Sequence, residues 1–142
     1  MDIPNKKAVI WDGGNKSFSL TNQDDVGKAV TGILKNPSET ANEYLYVATV
    51  TTTQVAILSS LETHSGQKWT VQNVKTDGQI AAGRQMVAQG DSTGMFMLVQ
   101  ASSWGAVPGI SSDYTVDEKL ANATLGVPEG SVDEIVKDVL MS

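Results

Sequence analysis

Three times along the chain, a short run of β-branched or aromatic residues ends in a turn signal and gives way to an apolar stripe at helical spacing. Ala8 to Trp11 is followed by Asp12, Gly13, Gly14 and Asn15, which tolerate positive φ. Asn22 then stands as a helix cap before Val26, Ala29, Val30, Ile33 and Leu34, an apolar helical face that stops short of Pro37. Tyr44 to Val50 is dense in strand formers, and the threonines after it precede a helix carrying Val55, Ile57, Leu58 and Leu61, with Gly66 as its stop. Lys68 to Val74 reads as a third strand, and Asp77 is placed to cap a helix through Ile80, Met86 and Val87 that ends at Gly90. Such alternation predicts an α/β fold, a small sheet of strands interleaved with helices, and not a sandwich or a bundle. Ser131 and Glu134 have capping-box spacing, and Ile135, Val136, Val139 and Leu140 give the closing helix an apolar stripe.

At 142 residues the chain fits one domain, residues 1–142. A domain of this size buries roughly 68–70% of the surface its unfolded chain exposes. The sequence holds no cysteine, which rules out disulfides, thiolate metal sites and a thiol nucleophile. A net charge of −6 with scattered Lys and Arg repels phosphate backbones and anionic membranes, so neither is an expected partner. No apolar run approaches the roughly 20 residues of a membrane span, and no basic-then-apolar start marks a signal peptide. The expectation is a soluble, cytoplasmic protein.

Residues 91–116 break the rhythm. Met95, Phe96, Met97 and Trp104 belong to a helix that opens into a Gly-, Pro- and Ser-rich loop ending at Asp113 and Tyr114. Methionines and aromatics line adaptable apolar pockets, and the neighbouring Gly and Pro suit a mobile lid. Met95, Phe96, Met97 and Trp104 are therefore the candidate substrate contacts. Asp113 and Tyr114 form the candidate catalytic acid and phenol, since adjacent residues converge on a loop though they diverge on a strand. Core packing accounts equally well for Met95, Phe96 and Met97. The single histidine, His64, excludes a two-histidine metal site; two residues before Gly66, it suits the negative end of a helix dipole. Asp12 reads as a turn residue, with close approach to a phosphate or substrate as the alternative. Asp24, Asp25, Asp117 and Glu118 read as helix-start or solvated charge.

The ordered series from Ala8 to Asn15, through Phe18, Thr21, Asn22 and Asp25 to Val30, then Tyr44 to Val50, Gly66 to Val71 and Leu125 to Pro128, resembles the NmrA-like, isoflavone-reductase-like branch of the short-chain dehydrogenases. Nearly the whole chain takes part, residues 91–114 least. In that family this stretch follows the nucleotide-binding domain. The resemblance therefore implies the substrate-binding half of a fungal or plant NADP-dependent reductase of aromatic or polyketide-like molecules, or of a dinucleotide-sensing regulator. The family's glycine-rich turn and catalytic lysine belong to the other half. No Gly-x-Gly-x-x-Gly turn occurs in these residues, so no cofactor, NADP(H) included, and no metal is expected to bind this chain alone.

Two function classes follow. One is an enzyme that holds an apolar metabolite and performs non-redox work such as isomerisation, cyclisation or dehydration. The other is a non-catalytic ligand-binding or regulatory module, or a reductase fragment whose nucleotide domain lies elsewhere. Either one needs a small-molecule ligand as partner. A half-protein with apolar surface to cover predicts a homodimer.

Overall fold

The computed structural model describes residues 1–141. The elements run β1 (Lys7–Trp11), β2 (Phe18–Leu20), α1 (Gln23–Lys35), α2 (Pro37–Thr40), β3 (Val50–Thr52), α3 (Gln54–Ser65), β4 (Thr70–Val74), α4 (Thr76–Ala88), α5 (Thr93–Trp104), α6 (Tyr114–Asp117), α7 (Asn122–Leu125) and α8 (Val132–Met141). The fold is α/β. β1 and β4 pair in parallel from Lys7 opposite Thr70 to Trp11 opposite Val74, and β2 and β3 pair antiparallel with Phe18 opposite Thr52.

Local chemistry sets most boundaries. The Asn22 side chain accepts from the Asp25 N–H at 2.8 Å and Thr53 caps α3 through the Ala56 N–H at 3.2 Å. Ser131 and Glu134 exchange both bonds of a capping box. α3 ends where Gly66 turns left-handed at φ 65°.

One side of β1 supplies Ala8 and Ile10 to a core closed by Leu61 of α3, Trp69 and Val136 of α8, with Ile57, Leu58, Val132 and Leu140 around it. Burying a side chain such as Leu61 contributes about 1.5–3 kcal/mol. A second cluster joins Ala29 of α1 to Leu125 and Val127, flanked by Leu45, Val47 and Ala121.

Three expectations are corrected. The strand predicted over Tyr44 to Val50 begins only at Val50. Tyr46 makes a single bridge to Leu120, and Asn122 takes the place of a ladder partner. Its side chain accepts the Ala48 N–H at 3.1 Å and donates to the Ala48 carbonyl at 2.7 Å. The apolar face read on α1 is split: Ala29 is buried together with Asp25 and Gly32, while Val26, Val30, Ile33 and Leu34 are exposed. The close approach of α7 explains this, because a Cβ at Gly32 would strike the Leu125 backbone, with Leu125 Cα at 2.7 Å. Finally, α4 starts one residue before Asp77, and the carboxylate that receives its first N–H is Asp12, from the end of β1.

No helix among the described residues is long and apolar enough to cross a membrane.

Candidate functional site

The carboxyl ends of the two parallel strands are where an α/β sheet characteristically receives its ligand. Here they meet the C-terminus of α5 and the loop of residues 105–113. Asp12 leaves β1 in a left-handed conformation, φ 47°, followed by Gly13 at 86° and Gly14 at 73°. This reversal lets Gly14 donate to the Trp11 carbonyl at 2.8 Å and carries the chain toward β2. A Cβ at Gly14 would lie 2.8 Å from Ile10 Cγ2, so only glycine fits there.

The Asp12 carboxylate accepts the Thr76 hydroxyl, the Thr76 N–H at 3.3 Å and the Ala106 N–H at 3.1 Å, with the Lys75 ammonium 4.0 Å away. The Thr76 hydroxyl above all, then the two backbone N–H groups, holds its pKa below the usual carboxylate range despite partial desolvation. Asp12 is thus an ionised buckle joining β1, α4 and the loop after α5. Lys16 does the same from the other side, donating to the Ser102 carbonyl at 3.1 Å and the Gly105 carbonyl at 2.9 Å, two acceptors at the end of α5. Burial pushes its pKa down.

β2 is the spine of the site. Phe18 meets Trp104 with ring centroids 6.5 Å apart. Ser19 donates its N–H to the Ser112 carbonyl at 2.7 Å, and its hydroxyl accepts the Tyr114 N–H at 3.1 Å. Phe18 and Ser19 point to opposite faces of the strand, so Trp104 and Tyr114 flank it. The Tyr114 ring lies 5.2 Å from that of Tyr46 at 55°. The nearby Glu118 carboxylate pushes the Tyr46 hydroxyl up, both by its charge and as hydrogen-bond acceptor.

Of the residues singled out in the sequence, Trp104 and Tyr114 line this assembly and Asp113 lies between its turns. Bonds from Ser17 and then Thr115, whose N–H is at 3.0 Å, hold the Asp113 carboxyl below its ordinary range. At neutral pH Asp113 is therefore a hydrogen-bond acceptor and not a proton donor. Met95 and Phe96 stand outward on α5, Phe96 being 71% exposed, and Met97 is half-buried. Asp25, read as helix-start or solvated charge, does stand in the first turn of α1 but is 1% exposed and not solvated: Lys28 at 2.7 Å and the Thr49 hydroxyl at 2.7 Å lower its pKa and anchor α1. His64 sits in the last turn of α3 and pairs with Asp133 of α8 at 3.3 Å.

Sequence reasoning missed Lys16, Tyr46 and Glu118. Their roles rest on partners distant in sequence, 86 and 89 residues away for Lys16, and no local pattern carries that information. No group of three or more metal-ligating side chains occurs among the described residues.

The comparisons with known proteins agree on the kind of protein this resembles. No family model matches the chain. It is 32% identical over 152 aligned positions to oxidoreductase poxI of Penicillium oxalicum, covering 98% of this chain and 44% of that protein. It is 31% identical over 139 positions to oxidoreductase aprR of Aspergillus flavus, covering 98% and 46%. The chain thus spans less than half the length of either. Among solved structures, an NADPH-dependent quinone oxidoreductase, QOR2 of Escherichia coli, superposes with a TM-score of 0.56 at 15% identity, over 97% of this chain and 48% of that one. That likeness establishes a shared fold.

Proposed function

We propose that the chain is the substrate-binding portion of an NmrA-like, NADP(H)-dependent oxidoreductase acting on apolar, aromatic carbonyl or quinone-like compounds. The supporting observation is that 98% of it aligns with less than half of two proteins named oxidoreductases. The named relatives lend no support to the isomerisation, cyclisation or dehydration expected from the sequence.

The nucleotide does not fit the residues present. Its pyrophosphate needs a glycine-rich turn opening onto free N–H groups at a helix N-terminus. At the end of β1 the corresponding space holds the Asp12 carboxylate, which occupies the N-terminus of α4 and repels a second anion. α1 and α3 are capped by Asn22 and Thr53. We assign no hydride-transfer step to these residues.

This chain contributes substrate recognition. On one side of β2 Trp104 supplies aromatic surface that Met97 and Phe96 extend along α5, and on the other side stands the Tyr114–Tyr46 pair, with Asp113 accepting a hydrogen bond from a substrate hydroxyl. Titration with 1,4-naphthoquinone, followed by tryptophan fluorescence, tests the reading. Saturable quenching that Trp104→Phe weakens supports it. Absence of saturable binding by the quinone and by an aromatic ketone overturns it, and quenching unaffected by Trp104→Phe moves the site.

A further inference from the structure

Arg84 is the only arginine in the sequence. Its guanidinium makes no hydrogen bond or ion pair among the described residues. That is unexpected on a chain with 16 carboxylate side chains against 10 Lys and Arg, where an arginine readily finds an acid. Its helical neighbours one turn away, Ile80, Ala81, Val87 and Ala88, are all aliphatic.

Arg84 instead lines a cavity of about 270 Å³ between α4, α5 and the loop after α5. Ile80 and Leu98 face it from the two helices, Val107 and Ile110 from the loop, and Ser102 contributes a hydroxyl. The walls are fixed before any ligand arrives. α4 and α5 are in direct contact at Gly83 and Gly94, where a Cβ at Gly83 would lie 3.1 Å from the Gly94 carbonyl oxygen. The loop is pinned by the Ala106 N–H on Asp12 at 3.1 Å and closed by the Ile110 N–H on the Val107 carbonyl at 3.2 Å.

We propose that this cavity binds a small apolar monocarboxylate, its hydrocarbon against Ile80, Leu98, Val107 and Ile110 and its carboxylate on Arg84. The planar guanidinium matches a carboxylate through two parallel N–H bonds. One cation in an aliphatic setting balances one negative charge, and a net charge of −6 disfavours the multiply charged phosphates that would otherwise compete. The site is separate from the Trp104 and Tyr114 surface, and its test does not depend on the oxidoreductase reading.

Calorimetric titration of the chain with 4-phenylbutyrate and its neutral amide tests the proposal. The carboxylate is expected to bind about ten-fold or more tighter than the amide, as a charge-assisted bond predicts. Arg84→Met, which keeps the aliphatic length at an exposed position, removes that preference, so that the two probes bind alike. Ile110→Glu, which removes part of the apolar wall and adds a like charge, weakens both probes and the carboxylate more than the amide. Equal binding of the two probes, binding of neither, or a preference that survives Arg84→Met overturns it.

Discussion

Asp12, the residue after β1, accepts both the hydroxyl and the backbone N–H of Thr76, the first residue of α4. A helix is thus capped by a carboxylate 64 residues away, and the same oxygens hold the loop after α5 through Ala106. Asp12→Ala leaves these donors unpaired and is expected to cost about 1–3 kcal/mol in urea unfolding at pH 7. The folded-state pKa of Asp12 is lowered, so its contribution is complete above the unfolded value of about 3.9 and is lost as pH falls through the folded value. The gap between parent and variant should close along that acid limb. A gap independent of pH would show that the charge of Asp12 plays no part.

Helix contact depends on the missing side chain at Gly94. A Cβ there would collide with the Gly83 carbonyl oxygen and approach Met86 Cβ to 2.8 Å. Gly94→Ala is expected to destabilise by about 1–3 kcal/mol. Gly27 of α1 has nothing within 4 Å of its Cβ position, so Gly27→Ala should stabilise by about 0.4–1 kcal/mol. Denaturation midpoints moving in the same direction would contradict the packing assigned to the α4–α5 pair.

The Tyr46 hydroxyl is held up by Glu118. Glu118→Gln removes the charge and should lower the tyrosinate transition, read by ultraviolet absorbance between neutral and high pH. An unchanged titration curve would separate Glu118 from the tyrosine pair.

NADPH should not bind this chain. Calorimetry giving micromolar affinity would defeat the assignment of the N-terminus of α4 to Asp12.

We propose that two copies associate, covering the exposed residues Val26, Val30, Ile33 and Leu34 of α1. Sedimentation equilibrium should give twice the 15.0 kDa chain mass, and Leu34→Glu should shift it toward the monomer. A parent monomer at tens of micromolar would refute the pairing.

The caps at Asn22, Thr53 and Ser131 were legible because each closes within three residues. The helix-to-loop change after Trp104 was legible from its Gly and Pro. Periodicity placed Val26, Ala29, Val30, Ile33 and Leu34 on one face of α1, but the structure buries Ala29 and exposes the other four, because periodicity cannot tell which part of a face a neighbour covers. Ala29 and Gly32 won the inner side because α7 approaches too closely for anything larger. Strand propensity at Tyr44 to Val50 failed in a similar way, since a strand requires a partner and Asn122 occupies the position at Ala48. The site was legible only in part. Trp104 and Tyr114 stand out by residue type and the structure sets both against β2, whereas Asp12 and Lys16 bond to partners 64 to 94 residues away.

Those separations also bear on the order in which the molecule folds. The α4–α5 hairpin closes over neighbouring residues and forms early, since short loops cost little entropy. The bonds of Lys16 and Asp12 to the end of α5 and the loop after it close over 86 to 94 residues. The surface around Trp104 thus rests on contacts between residues far apart in sequence, the class of contact whose loop-closure cost slows folding.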